Sequence, residues 1–327
     1  MTSNDLSAQQ HLATLRWLLL SPPLVLPPPL VMPLSLLVGP LAILSNAPKP
    51  TSTLSAPIPL ATFTHHEQSS IADWLESLQL DSAALLAWLR TRPQARIGRY
   101  AENLLEFYLV HGPQHRLAAA HVPLRSERDG AVVTHGELDF LLTDAQGQRR
   151  HWELADKFFL CTATGSTATP ADFIGPNGVE TLAHKWHKLF AKQLTHTPPA
   201  PWNTHTWQPQ AFTRGWMFYR WGSVVPQCTA LHADHCKAWW THWADIDKLP
   251  QAHYACLPRL QWMAPVAAPE QLGANTPLWS RSKLARHLTD LWATTERPTD
   301  AQLVVQLDDG THPKEVRRFF IRPPLCA

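Results

Sequence analysis

The stretch from Trp17 to Pro48 restricts the fold of this chain more than any other feature, because it carries no charge and is dense in proline. An uncharged run of this length could in principle form a membrane-spanning helix. Each interior proline, however, removes a helix hydrogen bond and clashes with the preceding turn, and lipid cannot satisfy the backbone groups left bare. The prolines of the stretch are Pro22, Pro23, Pro27, Pro28, Pro29, Pro33, Pro40 and Pro48. We therefore expect a short helix over Gln10–Leu20, then an extended proline-rich strap on the protein surface over residues 22–50, and no membrane anchor.

The composition argues against several other classes of protein. The 327 residues include 28 Lys and Arg against 26 Asp and Glu, a net charge of +2 that gives no long-range attraction for a polyanion. Glycine is scarce, and neither G-x-G-x-x-G nor G-x-x-x-x-G-K occurs, so a glycine-rich phosphate loop is not expected. Five cysteines, an odd and scattered set, do not form a disulfide framework, and residues 1–15 lack the basic start of a signal peptide. We expect a cytoplasmic protein.

Hydrophobic periodicity predicts a mixed α/β fold in three segments. Residues 1–94 form an N-terminal helical and proline-rich segment packed on the core, with a polar linker over 46–68. Residues 95–225 form the α/β core, and residues 226–327 add helices and strands that complete the same domain. The predicted helices are Gln10–Leu20, Ile71–Leu78, Ser82–Leu89, Ala95–Val110, Val179–Leu194, Thr229–Trp243 and Arg281–Ala293. The predicted strands are Leu117–Leu124, Gly136–Leu142, His151–Leu160, Gly215–Trp221, Leu257–Val266, Leu303–Leu307 and Val316–Ile321.

Two neighbouring strands carry residue types that bind divalent cations. Side chains alternate between faces along His151–Leu160, so Glu153 and Lys157 share one face. A hairpin that joins this strand to Gly136–Leu142 places Asp139 beside Glu153. Such a carboxylate pair suits Mg²⁺ (or Mn²⁺), and a nearby Lys157 could orient or deprotonate a metal-bound water. The alternative is a solvated strand face with a cross-strand ion pair.

Two predicted helices border these strands. Glu102 lies at the edge of the apolar stripe of Ala95–Val110, from which its carboxylate can reach a site on the sheet. In Val179–Leu194, Gln193 falls on the apolar face, and Lys185 belongs to a basic stripe beside that face. A cationic helix next to a carboxylate pair suits a polyanionic substrate. A solvated lysine face is the alternative.

These residues resemble a known motif. The motif consists of Glu102 on a helix, Asp139 at the end of Gly-Glu-Leu-Asp on a strand, Glu153 and Lys157 within Trp-Glu-Leu-Ala-Asp-Lys on the next strand, and a helix ending in Lys-Gln-Leu. Together these features resemble the PD-(D/E)XK nuclease superfamily. More narrowly, most of the chain outside the proline-rich strap resembles a bacterial family known as domain of unknown function 1853. The segments that carry this narrower resemblance are Leu15-Arg16-Trp17, Ser21-Pro22-Pro23, Gly175-Pro176-Asn177, His235-Cys236-Lys237-Ala238-Trp239-Trp240 and Trp262-Met263-Ala264-Pro265-Val266.

The resemblance implies a restriction-endonuclease-like core, in which helices flank a mixed central sheet, with N-terminal helical and C-terminal elaborations. It implies Mg-dependent phosphodiester hydrolysis of nucleic acid, with Asp139 and Glu153 as metal ligands. Lys157 would orient the attacking water, and Glu102 would assist through water or metal. The substrate phosphate would contact Lys185 and Gln193.

This chain departs from the superfamily pattern at one position. The usual motif has lysine two residues after the glutamate, where this chain has Ala155, and Lys157 lies four residues after it. Lys185 is a second candidate for the lysine. The competing hypothesis is a nuclease-like fold whose chemistry has decayed, acting as a binding module for nucleic acid or protein, and the near-zero net charge favours it.

Overall fold

A mixed sheet of ten strands runs through the computed structural model, which describes residues 5–28, 57–93, 95–128, 130–273, 276–294 and 300–323. The strands are β1 (Arg116–Arg128), β2 (Ala131–Thr143), β3 (Arg149–Cys161), β4 (Phe173–Ile174), β5 (Gln208–Arg220), β6 (Cys236–His242), β7 (His253–Cys256), β8 (Trp279–Ser280), β9 (Gln302–Leu307) and β10 (Glu315–Arg322). The helices are α1 (Ala8–Leu20), α2 (His65–Leu80), α3 (Ala83–Arg90), α4 (Ile97–His111), α5 (Leu182–Ala191) and α6 (Arg281–Ala293). The predicted mixed α/β fold with a large sheet flanked by helices is confirmed.

The strands follow the order β1-β2-β3-β5-β6-β10-β9-β7-β8, and β4 pairs with β3. β1, β2 and β3 are antiparallel neighbours, whereas β3, β5, β6 and β10 run parallel. The sheet therefore continues without a break from the predicted core segment into the C-terminal segment. The predicted strands Leu303–Leu307 and Val316–Ile321 correspond to β9 and β10, which pair with each other in antiparallel orientation.

Apolar side chains cover both faces of the sheet. On one face, Phe140, Trp152 and Phe212 pack against α1, α2, α3 and α4. On the other face, Phe159 and Met217 pack against α5. The sheet is thus a central layer between helices, as expected for parallel strands that must be buried on both sides.

The two described ends of the proline-rich region dock on the α5 side of the sheet. Leu24 and Val25 are buried there, and Ile58 joins them from the far side of the region. Val25 forms a bridge to Leu231, so this end of the strap is part of the core rather than a surface feature. Residues 29–56, which include most of the predicted strap, lie outside the described residues. Among the helices that the structure describes, none combines the length and the apolar character needed to cross a bilayer.

The start of α2 corrects the predicted linker. The linker was expected to reach residue 68 and the helix to begin at Ile71, yet α2 begins at His65. Thr64 and Glu67 form a capping box, in which the Thr64 side chain accepts from the Glu67 N–H and the Glu67 carboxylate accepts from the Thr64 N–H. This Thr-x-x-Glu pattern is a helix start.

The predicted helix over Thr229–Trp243 is wrong. Strand β6 occupies its second half, and it lies between β5 and β10 as an interior parallel strand. Tryptophans at this spacing fit a helical stripe as well as alternating strand faces, and pairing with two parallel neighbours decided between them.

Two further boundaries differ from the predictions. The predicted strand Leu257–Val266 is wrong, because β7 ends at Cys256 and a 3-10 turn over Arg259–Gln261 follows. Backbone carbonyls in the 262–264 stretch instead accept hydrogen bonds from the buried Arg318 guanidinium. The helix predicted from Val179 is shorter at both ends, because Thr181 caps α5 and its last residue is Ala191.

Strands β2 and β3 separate part of the way along the sheet, and the gap between them is referred to as the cleft. The ladder between these two strands ends at the pair Phe140–Trp152. Beyond that pair, β2 continues alongside β1 alone, while β3 continues alongside β5. The edge of β3 from Glu153 onward is therefore open on the β2 side until β4 joins at Leu160.

Candidate functional site

The separation of β2 and β3 begins at two carboxylates. Asp139 and Glu153 each stand one residue beyond the last paired residues, Phe140 and Trp152. The Asp139 backbone N–H donates to Glu153 Oε1 (3.3 Å), so the two residues are in contact across the mouth of the cleft. Asp139 is 7% exposed and Glu153 is fully buried.

Protein donors hold both carboxylates in place. Glu153 Oε1 also contacts His151 Nε2 (2.8 Å), and Glu153 Oε2 accepts from the Gln193 side-chain amide (2.7 Å). Asp139 Oδ2 accepts from the Leu154 backbone N–H (2.8 Å). Gln193, in a 3-10 turn just after α5, was expected to contact substrate, and the structure places its amide on Glu153. Donors of this kind orient carboxylates in metal sites.

Burial makes the pair reluctant to ionise. Burial, with the neighbouring Glu153 charge as the next cause, raises the pKa of Asp139 well above its ordinary value. Burial also raises the pKa of Glu153 to about 7, and Glu137 and Glu102 contribute in the same direction. Burial lowers the pKa of His151 to about 4, so this imidazole is neutral at pH 7 and donates from Nε2 to the carboxylate. Among the described residues in contact with the pair, no buried cation stabilises its ionised form, so these carboxyls hold protons that exposed carboxyls release.

A second group of ligand atoms lies next to the pair. Glu102 from α4, His121 from β1 and Glu137 from β2 place one ligand atom each within 4.8 Å of one another. The Arg99 guanidinium binds all three: it pairs with Glu102, donates to His121 Nδ1 (2.9 Å) and pairs with Glu137 Oε1 (3.1 Å). Sequence reasoning identified Glu102 but missed His121 and Arg99.

His121 adopts an unusual backbone conformation. Its φ is +52°, the one positive value among the described residues other than glycine. A left-handed residue with a Cβ costs about 1–2 kcal/mol, so the surrounding structure must enforce it. Its neighbours Ala120 and Val122 pair with Phe140 and Leu138, which places His121 beside Asp139 in the sheet.

The lysines lie elsewhere in the cleft. In the described part of the chain, no hydrogen bond or ion pair joins Lys157 to Asp139 or Glu153. Burial lowers the pKa of Lys157, and the charges with the largest effect on that pKa are those of Lys185 and Glu180, not those of the carboxylate pair. A raised pKa for Lys157, which a position beside the carboxylates would produce, is therefore not what the structure shows. Lys185 forms an ion pair with Glu180 (2.7 Å).

A cavity of about 420 Å³ follows the open edge of β3 around Lys157. Asp156 lines it from the opposite strand face and is 7% exposed, and within the described structure neither of its oxygens has a hydrogen-bond partner. Burial raises the pKa of Asp156 to about 7. Trp262 and Asn177, from two of the segments that carry the family resemblance, also line the cavity.

The donor set at the cleft mouth fits a hard divalent cation. Oxygen ligands from Asp139 and Glu153, buried and short of positive charge, match the preference of Mg²⁺ and Mn²⁺ for one or two carboxylates. A cation there would favour the ionised form of both groups, whose pKa values are raised without it.

One protein family matches the chain over residues 13–321, and it is described as Domain of unknown function (DUF1853). This match covers most of the chain, and the chain belongs to that family. Comparison with curated proteins and with solved structures finds no match.

Proposed function

We propose that this member of the DUF1853 family is a divalent-metal-dependent phosphodiesterase that hydrolyses nucleic acid, with Mg²⁺ or Mn²⁺ held by Asp139 and Glu153. One observation carries the proposal: the two buried carboxylates meet at the mouth of the cleft between β2 and β3, and both have a raised pKa. The resemblance of their motif to PD-(D/E)XK nucleases supports the same reaction.

The chemistry follows from the charges in the cleft. A divalent cation bound by the pair would supply an activated water and would offset the charge that develops on the phosphate. Asp139 and Glu153 would hold this cation, and His151, Gln193 and the Leu154 N–H restrict the rotation of the two carboxylates. In the reaction, the water oxygen bonds to phosphorus, the bond from phosphorus to one ester oxygen breaks, and that oxygen leaves as an alcohol with the proton that the water loses.

The lysines suit the substrate side of this reaction. Lys185 and Lys188 both act electrostatically on Lys157, so three lysines lie near one another along the cleft wall. Such a wall attracts a phosphate chain. Burial lowers the pKa of Lys157, so more of its amine is neutral than in an exposed lysine, and a neutral amine can accept a proton.

The test is cleavage of labelled single-stranded DNA, double-stranded DNA and RNA by the full-length protein with Mn²⁺ or with Mg²⁺. We expect cleavage of at least one substrate by the wild type, none by Asp139→Asn or Glu153→Gln, and none after chelation. Glu76→Gln, which alters an exposed carboxylate on α2, is the matched control and should cleave as the wild type does. Cleavage that survives both site variants would overturn the proposal.

A second candidate is the decayed fold that binds nucleic acid or protein without cutting it. Two observations favour it: within the described residues Lys157 has no bond to the carboxylate pair, and Arg99 already pairs with Glu102 and Glu137. Its signature is binding of the same labelled substrates without cleavage and with no dependence on Mn²⁺. That result would replace the phosphodiesterase proposal.

A further inference from the structure

We infer that Glu102, His121 and Glu137 form a second cation site, in which the Arg99 guanidinium and a divalent transition-metal ion such as Mn²⁺ or Co²⁺ exclude one another. The inference deepens the proposed function and rests on it for its catalytic meaning. The binding of a metal at this site is nevertheless measured without any substrate.

The geometry of the three ligands points to a cation at one place. They come from three separate elements, α4, β1 and β2, yet one atom of each lies within 4.8 Å of the other two. Converging ligands from separate elements are typical of built metal sites. The strands and the helix fix the positions of the side chains independently of one another.

The Arg99 guanidinium shows that this place already accommodates positive charge. It binds Glu102, Glu137 and the Nδ1 atom of His121 simultaneously. Because a guanidinium only donates, Nδ1 must be the unprotonated nitrogen, and its lone pair is directed at the cation. That is the same lone pair that a metal ion would use.

Glu106 supplies the partner that a ligating histidine needs. Its Oε2 atom lies 3.7 Å from His121 Nε2, on the far side of the ring from the cluster. Metal-binding histidines commonly present their second nitrogen to a carboxylate, which sets the tautomer and the ring orientation. Glu106 is therefore a positioning residue in this inference, and His121 is the ligand.

Displacement of Arg99 is favoured by charge and by exposure. The Arg99 side chain is 40% exposed, so it can turn into water. It brings one positive charge to a region with Glu102, Glu137, Asp139 and Glu153, and a divalent ion brings two. The nitrogen ligand selects transition metals over Mg²⁺, which prefers an all-oxygen shell.

The inference is tested by Mn²⁺ titration of the metal-free, full-length protein, with calorimetry and electron paramagnetic resonance as readouts. We expect two Mn²⁺ ions per wild-type chain and one class of Mg²⁺ site. Arg99→Gln should tighten the second Mn²⁺ site by about 10-fold or more, because the competing charge is gone. The matched control Arg90→Gln, on the exposed side of α3, should leave both affinities unchanged.

A second variant keeps the inference testable if Arg99→Gln does not fold. His121→Gln should remove the second Mn²⁺ ion and leave Mg²⁺ binding intact, whereas Asp139→Asn should remove the first and keep the second. A single Mn²⁺ site in the wild type, or two sites that His121→Gln leaves unchanged, would overturn the inference. Two Mn²⁺ sites without any cleavage would contradict the proposed function alone, and cleavage with a single site would contradict the inference alone.

Discussion

Glu153→Gln should make the metal-free protein more stable, and the gain should grow with pH. Glu153 is fully buried, and its pKa is raised to about 7 from the ordinary 4.5. The folded protein therefore holds this proton more tightly than the unfolded chain does. Consequently the stability of the wild type falls as the pH rises from about 4.5 to about 7, and levels off above that range.

The size of the effect follows from the difference between the two pKa values. Each pKa unit corresponds to about 1.4 kcal/mol, so ionising Glu153 costs the folded state about 3 kcal/mol at pH 8 and about 1 kcal/mol at pH 5. Glutamine removes that cost and keeps the shape of the side chain. Its oxygen can accept from His151, and the Gln193 amide can turn to accept from the new N–H.

The assay is urea unfolding of chelator-treated wild type and Glu153→Gln between pH 5 and pH 8. Glu76→Gln, on an exposed side of α2, is the matched control and should stay within about 0.5 kcal/mol of the wild type at every pH. Added Mn²⁺ should then stabilise the wild type but not Glu153→Gln, because a ligand of the folded state raises its stability. A Glu153→Gln protein that is no more stable than the wild type at pH 8 would refute the reasoning. A loss of about 3 kcal/mol would identify Glu153 as part of a structural ion pair.

Three other predictions concern the cleft and the core. Lys157→Ala should abolish cleavage but keep Mn²⁺ affinity, and Lys157→Arg should not restore cleavage, because guanidinium does not release its proton. Equal cleavage by Lys157→Ala and the wild type would remove the lysine from the mechanism. Gly215→Ala should lower the free energy of unfolding in urea by about 3 kcal/mol or more, because the φ of Gly215 is +140° and a Cβ would lie 1.8 Å from the Lys157 carbonyl oxygen. A loss below about 1 kcal/mol would contradict this. Glu315→Gln should lower the free energy of unfolding by about 3–5 kcal/mol, since it leaves the buried Arg318 charge unpaired. Thermal unfolding that matches the wild type would show that the backbone carbonyls around Met263 satisfy this guanidinium alone.

Local patterns in the sequence were sufficient to predict the contact between Asp139 and Glu153 at the centre of the site. Period-two alternation placed Asp139 and Glu153 on known faces of their strands, and a short loop at Asp144–Gln148 joined those strands. In such a hairpin the turn determines the register, and the register determines which residues lie opposite one another. The helix that carries Glu102 followed from its apolar stripe in the same way.

Local patterns were not sufficient to predict secondary structure where the same spacing of residues fits both a helix and a strand. The segment Thr229–Trp243 fits a helix by the spacing of its tryptophans, yet β6 forms because β5 and β10 offer backbone partners on both sides. These strands are far apart in the sequence, and pairing between them overrides local propensity.

Tertiary structure alone decided the rest of the site. No pattern in the residues around His121 predicts its left-handed backbone, which lies between two residues, Ala120 and Val122, that pair with β2. The gathering of Arg99, His121 and Glu137 depends on the approach of a helix to two strands. The position of Lys157 depends on where β2 leaves β3, since a shared strand face specifies a direction and not a distance to the carboxylates. Sequence periodicity therefore determined which side chains could meet, and the packing of distant elements decided which of them do.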